Sequence, residues 1–276
     1  MPEGDTVHRQ AALLRRALAG KVLLRSDLRF PAIATADLSG RSVTEVVPRG
    51  KHLLIRTDGG PEGLVPLTLH SHLLMEGMWH VYPRGARWRR PGYQARAVLE
   101  NAAAQAVGFD LGMLDLVPTA EEDGHRLLAG LGPEPLDDGF TAERLSASLA
   151  GRRTPVKAAL LDQRVVAGLG NIYVCEALFR AGVAPDRLAA DVAGEPAARL
   201  VPQIKATLHE AIAAGGSSLR DYVQPDGELG LFQHAWKVYG REGQPCERCP
   251  GPPDCPGVAR RVQAGRSTFY CPRTQR

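Results

Sequence analysis

Val7, Ala11, Leu14 and Leu18 recur every three or four residues, which places them on one face of a helix. Asp5 or Thr6 can cap its start, and Gly20 can end it. After it the period changes. Short apolar or alternating runs at 21–26, 42–47, 52–56, 64–72, 94–100 and 105–109, separated by turn residues, predict the strands of an antiparallel β-sandwich. The stretch 84–90 carries four arginines between strands and reads as an exposed loop.

From about residue 120 the pattern turns helical. Pro133-Glu134-Pro135 and Asp137-Asp138-Gly139 resemble a linker, and helices are expected over 141–149, 155–161, 171–181 and 197–214. The tail from Gly240 is rich in Gly, Pro, Cys and Arg and too poor in apolar residues for a core of its own. A bound metal would explain how it folds. The expected layout is α+β and multi-domain: a β-rich domain over 1–120, a helical domain over 121–237, and a small cysteine module over 238–276.

Composition narrows the class. The 276 residues are 44% hydrophobic and 23% charged, normal for a soluble globular protein. A net charge of +4 permits a polyanionic partner without demanding one. No signal-like or membrane-spanning apolar run is visible, so a cytoplasmic location is expected. Four of the five cysteines, Cys246, Cys249, Cys255 and Cys271, lie in the last 31 residues. In a reducing compartment such clusters more often hold metal than form disulfides.

Two features carry chemistry. Removal of Met1 would leave Pro2 with a free secondary amine, a nucleophile that needs no side chain, beside the carboxyl group of Glu3. Attack of such an amine on a sugar carbon gives an iminium, which acidifies the neighbouring C–H and permits elimination. Many chains begin Met-Pro for no catalytic reason, so both readings stand at this point. The second feature is the segment from Leu160 to Pro185, which predicts a helix, a turn with Gly168 and Gly170, and another helix from about Asn171. Free N–H groups at that helix start, together with the Asn171 amide, suit a phosphate. An ordinary helical hairpin is the alternative. Cys175 shares a face with Ile172 and Phe179 and belongs to the core.

That segment resembles the helix–two-turn–helix of the formamidopyrimidine-DNA glycosylase and endonuclease VIII family of DNA repair enzymes. The resemblance extends over nearly the whole chain, through Met1-Pro2-Glu3-Gly4, Pro48-Arg-Gly-Lys-His-Leu-Leu54, Gly132-Pro-Glu-Pro-Leu136, Ser217-Ser-Leu-Arg-Asp221, Val238-Tyr-Gly-Arg241 and Ala264-Gly-Arg-Ser-Thr-Phe-Tyr-Cys271. It implies an N-terminal β-sandwich with flanking helices, a helix–two-turn–helix domain ending in a β-hairpin zinc finger, and damaged DNA lying between the domains of a monomer. The implied reaction is base excision followed by β,δ-elimination through a Pro2 Schiff base. The implied location is the cytoplasm, with the nucleoid.

Residue by residue, the resemblance makes Pro2 the nucleophile at C1′, Glu3 the proton donor and Lys51 a phosphate-contacting catalytic lysine. Met75, in His70-Ser-His-Leu-Leu-Met-Glu-Gly-Met78, becomes the apolar wedge that fills the stack after base flipping. Asn171 and Arg266 become phosphate contacts, and Ser217, Ser218 and Arg220 line a loop over the flipped base. The family's Asp-Pro-Arg-Arg-Phe-Gly loop for the opposite strand is missing, the nearest stretch reading Gly108-Phe-Asp-Leu-Gly-Met-Leu-Asp115. Its absence and the opening tetrapeptide point to the endonuclease VIII branch and oxidised pyrimidines. Oxidised purines, or a DNA-damage binder without catalysis, are the alternatives. Thr6 stands where many relatives carry a glutamate. In the finger, Cys246, Cys249 and Cys271 match zinc ligands, while Thr274 stands where a cysteine is expected. Cys255, in an inserted stretch, is the candidate replacement for a structural zinc.

Overall fold

The computed structural model describes residues 3–216 and 235–276, and the chain divides into two compact units. Among the described residues, the first runs to Ala129, and the second comprises 130–216 with 235–276.

The first unit opens with α1 (Gly4–Leu18), whose Val7, Ala11, Leu14 and Leu18 are buried as the periodicity requires. Eight strands follow: β1 (Arg25–Leu28), β2 (Val43–Arg49), β3 (His52–Thr57), β4 (Leu67–His72), β5 (Met78–Pro83), β6 (Ala95–Glu100), β7 (Ala104–Phe109) and β8 (Met113–Pro118). They form two antiparallel four-stranded sheets, ordered β1-β6-β7-β5 and β2-β3-β4-β8. Leu53, Ile55, Leu69, Trp79, Leu99 and Leu114 join α1 in one core.

Strict alternation divides the second sheet. Leu53, Ile55 and Leu69 point into the core, while His52, Arg56, Thr68, His70, His72 and Asp115 share the opposite face through the pairs His52↔His72, Arg56↔Thr68 and His70↔Asp115.

The sandwich is the architecture expected, with differences in detail. The run at 64–72 is strand only from Leu67, because Pro66 precedes it and Leu64 and Val65 stay exposed. Strands β5 and β8 have no counterpart among the expected runs. Each is short and interrupted by polar side chains (His80; Asp115), so neither shows a continuous apolar signal.

The second unit contains α2 (Ala142–Leu149), α3 (Val156–Leu161), α4 (Asn171–Ala181) and α5 (Glu195–Ala213), then the hairpin β9 (Ala259–Gln263) and β10 (Arg266–Tyr270). Thr141 caps α2 by accepting the Arg144 N–H at 3.3 Å. Helix α4 packs against α3, α5 and β10, which explains why all its residues except Arg180 are buried. It ends at Gly182, whose φ of 70° permits the left-handed cap.

Candidate active site and metal centre

Pro2 lies outside the described residues, so the first group that can be placed is Glu3. It is buried, 3% exposed, with extended backbone at the N-cap of α1. Its carbonyl oxygen accepts the N–H groups of Thr6 and Val7 at 3.1 and 3.3 Å, while its side chain makes no capping bond. The chain start is thereby tied to a helix. Gln10, two turns further along α1, accepts the Trp79 N–H at 2.9 Å and fixes the helix to β5. Asp5 and Thr6 are buried beside Glu3, and the Thr6 hydroxyl donates to Asp5 at 3.4 Å.

Lys51 sits in the two-residue turn between β2 and β3, set by the pair Arg49↔His52. Gly50 takes φ 61° as the first turn residue, the glycine-requiring position of a type II′ hairpin. Lys51 is half-buried, and its charge reaches the neighbouring strand, where it helps to lower the His72 pKa after burial itself.

Behind Lys51 lies a histidine cluster that the sequence shows only in part. The His70 Nε2 and His52 Nδ1 atoms are 2.8 Å apart, and the His52 ring also meets His72 at 4.7 Å between centroids. His70 meets His125 at 4.9 Å, and His125 bonds Asp115 at 3.2 Å. Burial first, then the charges of neighbouring histidines, pushes His52 down to about 3 and His70 to about 4. These rings are neutral near pH 7. At the far end, Arg56 holds Glu122 at 2.5 Å, and Thr68 donates to it at 2.9 Å. Burial would raise the Glu122 carboxyl, but these bonds outweigh it and hold it low. Histidines at 52, 70 and 72 come onto one face of the sheet only once β3 and β4 pair in register.

Met75 is 62% exposed in the turn between β4 and β5, beside Leu74, which is also exposed and takes φ 53°. A methionine serving the core would be covered; this one projects.

In the second unit, Gly168 at φ 82° shapes the turn, and Gln163 braces it by accepting the Gly168 N–H and donating to the Leu169 carbonyl, both at 2.9 Å. Asn171 then opens α4. Its Nδ2 donates to the Ser267 carbonyl on β10 at 2.8 Å. The fully buried Lys157 approaches the same oxygen at 3.4 Å, and burial lowers its pKa. Arg266 begins β10 after Ala264 and Gly265, whose φ values of 50° and 71° fit a type I′ hairpin turn, and it is exposed. Of the basic tail, Arg261 is committed to Asp186 at 3.0 Å and to the Tyr270 ring, and Arg260 lies 3.8 Å from Glu242. Arg266 and Arg273 make no ion pair among the described residues. Ser217, Ser218 and Arg220 lie outside the described residues.

Glu176 on α4 escapes sequence reasoning. It is fully buried and accepts the N–H groups of Lys237, Val238 and Tyr239 at 2.8, 3.0 and 2.8 Å. Burial raises its pKa despite those bonds. One carboxylate thus fixes the chain as it enters the finger.

The finger has a small core of Phe179, Val238, Val258, Phe269 and the cysteines. The thiols of Cys246, Cys249 and Cys271 lie within 4.8 Å of one another, with sulfur separations of 3.3 Å for Cys246–Cys249 and 3.6 Å for Cys249–Cys271. Tetrahedral thiolate zinc, with Zn–S near 2.3 Å, needs sulfurs about 3.8 Å apart, so these three fit a metal. Burial pushes the Cys246 thiol up to about 11, whereas contact with the Cys255 thiol leads in lowering Cys249. Cys255 is therefore beside the cluster and buried, accepting the Gly251 N–H at 3.2 Å, although it is outside the converging three. The Thr274 side chain lies beside the Cys271 thiol, and its buried hydroxyl finds no hydrogen-bond partner and adds no thiolate.

Residues 1–111 match the family model of the formamidopyrimidine-DNA glycosylase N-terminal domain, and residues 131–223 that of the formamidopyrimidine-DNA glycosylase H2TH domain. Formamidopyrimidine-DNA glycosylases of Acidiphilium cryptum and Rhodospirillum centenum are 52% and 54% identical, each over 100% of this chain and 99% of their own length. The fold is similar to the MutM (Fpg) protein of Thermus thermophilus, at TM-score 0.80 and 37% identity over 99% of this chain and 98% of that one. A Lactococcus lactis Fpg mutant in complex with DNA containing Fapy-dG gives TM-score 0.83 at 27% identity, with 100% of both chains covered.

Proposed function

The chain belongs to the formamidopyrimidine-DNA glycosylase family, and on that premise we propose that it excises oxidised purines from DNA and cleaves the abasic site that remains. As a member it is a bifunctional glycosylase and abasic-site lyase that acts on damaged DNA. The observation that carries the substrate is the name borne by relatives more than half identical over the full chain. It favours purines over the pyrimidines suggested by the missing opposite-strand loop and the opening tetrapeptide.

With Met1 removed, the Pro2 nitrogen would donate its lone pair to C1′ while the C1′–base bond breaks and the base leaves with that electron pair. Glu3, buried and next in sequence to Pro2, is the adjacent source of the proton needed to neutralise the leaving base or open the sugar. The Pro2 nitrogen loses its proton, the C1′–O4′ bond breaks with O4′ taking the electron pair and a proton, and the iminium so formed acidifies the proton at C2′. Loss of that proton expels the 3′-phosphate, and a second elimination expels the 5′-phosphate. Lys51 on its rigid turn, and Asn171 and Arg266 on their braced frame, are suited to hold phosphates during these steps. Met75 supports the reading through its exposure, since a wedge must be available to the duplex.

The finger is proposed to hold one structural zinc through Cys246, Cys249 and Cys271, with Cys255 as the fourth thiolate. When bound, the metal would supply folding free energy to a module with little apolar core.

Duplexes bearing Fapy-dG or an oxidised pyrimidine test the substrate directly. Faster release of the purine is expected; faster release of the pyrimidine would overturn the assignment. No helix among the described residues is long and apolar enough to cross a membrane.

A further inference from the structure

The arginine loop between β5 and β6 plays no part in the chemistry above, yet it is built rather than loose. Trp88 turns inward, edge-on to Phe109 at 5.9 Å between centroids, and its Nε1 donates to Gln105 at 3.0 Å. It covers a second apolar cluster that includes Met78, Tyr82 and Val98. The Tyr82 hydroxyl accepts the Arg89 N–H at 3.3 Å, and Arg90 binds Asp110 at 3.1 Å. Over this frame a cavity of about 610 Å³ opens, lined by Arg87, Trp88, Arg89, Arg90 and Gln105.

Its charge is unbalanced. The nearby carboxylates are already engaged: Asp27 by Arg25 and Arg29, Glu100 by Arg84, and Asp110 by Arg90. Arg87 and Arg89 are exposed and make no ion pair among the described residues. Two unneutralised guanidinium groups beside an indole suit phosphate oxygens. Tyr93 at the end of the same loop is 78% exposed and presents a ring on which a base can stack. That ring favours nucleic acid over an acidic protein surface.

Position supplies the rest. The short turn after Phe109 connects this loop to the projecting apolar tip. Asp110 donates its N–H to the Gln94 carbonyl at 2.9 Å and holds Arg90. Gly112, two residues on, lies so close to Leu74 that an added Cβ would stand 2.1 Å from its Cδ1. The projecting tip at Leu74 and Met75 is therefore linked to the arginine loop through Gly112 and Asp110, with Leu111 buried between them.

We propose that the loop 84–93 is a second nucleic-acid site, in which Arg87 and Arg89 grip phosphates of the strand opposite the excised base. This rests on the glycosylase reading, with Met75 entering the duplex on the lesion side.

The test compares Arg87→Ala/Arg89→Ala with wild type in salt titrations of binding to an abasic-analogue duplex and to its lesion strand alone. Each arginine that no longer neutralises a phosphate should lower the slope of log affinity against log salt by about 1, so the double variant should lose about 2 on the duplex. Single-stranded DNA offers no opposite strand, so its slope should be unchanged. Arg87→Lys/Arg89→Lys keeps the charges and should restore the duplex slope, which separates phosphate binding from damage to the loop. An unchanged duplex slope, or an equal decrease on both DNAs, overturns the proposal. Borohydride trapping of wild type on abasic DNA reports separately on the Pro2 mechanism; its failure would sink that reading while the slopes still judge the loop.

Discussion

The side-chain amide of Asn171 donates to the backbone carbonyl of Ser267 at 2.8 Å, joining the first turn of α4 to the strand that Arg266 begins. The two candidate phosphate contacts of the second unit therefore share one frame. Their substitutions should differ in kind. Asn171→Ala leaves a partly buried carbonyl short of its donor and should cost about 1–3 kcal/mol of stability as well as DNA affinity. Arg266→Ala should leave stability within about 0.5 kcal/mol and lower the salt slope of DNA binding by about 1. Thermal unfolding and salt titration of both variants check this.

Pro2 and Glu3 are expected to separate by step. An uncleaved N-terminal extension converts the amine to an amide and should abolish the borohydride adduct. Glu3→Gln retains the amine but lacks the proton donor, so base release should slow by about 10²–10⁴-fold. Comparing release from damaged DNA with trapping on a preformed abasic site distinguishes the two. An adduct formed by the extended protein would exclude Pro2.

Acid should destabilise the first unit through its histidines. His52 and His70 titrate near 3 and 4 when folded, against 6.5 for the ordinary side chain. The unfolded chain binds protons that the folded one refuses, so stability is full above pH 6.5 and falls progressively as pH drops toward 4. The decrease should be on the order of a few kcal/mol. Arg49, His72 and His125 oppose protonation, and Asp115 and Glu122 favour it. Denaturant unfolding between pH 7 and pH 4 should show the decline, and His52→Gln/His70→Gln should flatten it.

Metal analysis bears on the finger. One zinc per chain is expected, absent in Cys271→Ser and weakened in Cys255→Ser, with a chelator lowering the midpoint of thermal unfolding. Full zinc retention in Cys255→Ser would remove it from the ligand set.

Met75→Ala removes a side chain that is mostly in solvent, so stability should hold while lesion excision slows by about tenfold or more. An equal fall in stability and activity would instead assign Met75 to the fold.

Much of this molecule is legible along the chain because its signals are local. The period of α1, the glycines before Asn171 and the cysteine spacing each lie within a few residues. The histidine face does not show, because it exists only after β3 and β4 pair in register. Glu176 is invisible for a similar reason: its three partners arrive some sixty positions later. The arginine loop reads as exposed from its composition, but its anchoring by Trp88 and its approach to Asp110 depend on sheet order. The substrate branch does not show along the chain, because a missing loop marks what is absent and not the contacts that take its place.

The two-residue turn at Ala264 and Gly265 makes the finger hairpin a ruler. One residue added there would slip the ladder by half a period and exchange its faces, carrying Phe269 out of the cysteine core and turning Arg266 away from its present side. The stretch from Pro250 to Asp254 lies outside that ladder, so its length does not set the register. Lineages of this protein should therefore vary in length between Cys249 and Ala259 and be fixed in length between Gln263 and Arg266.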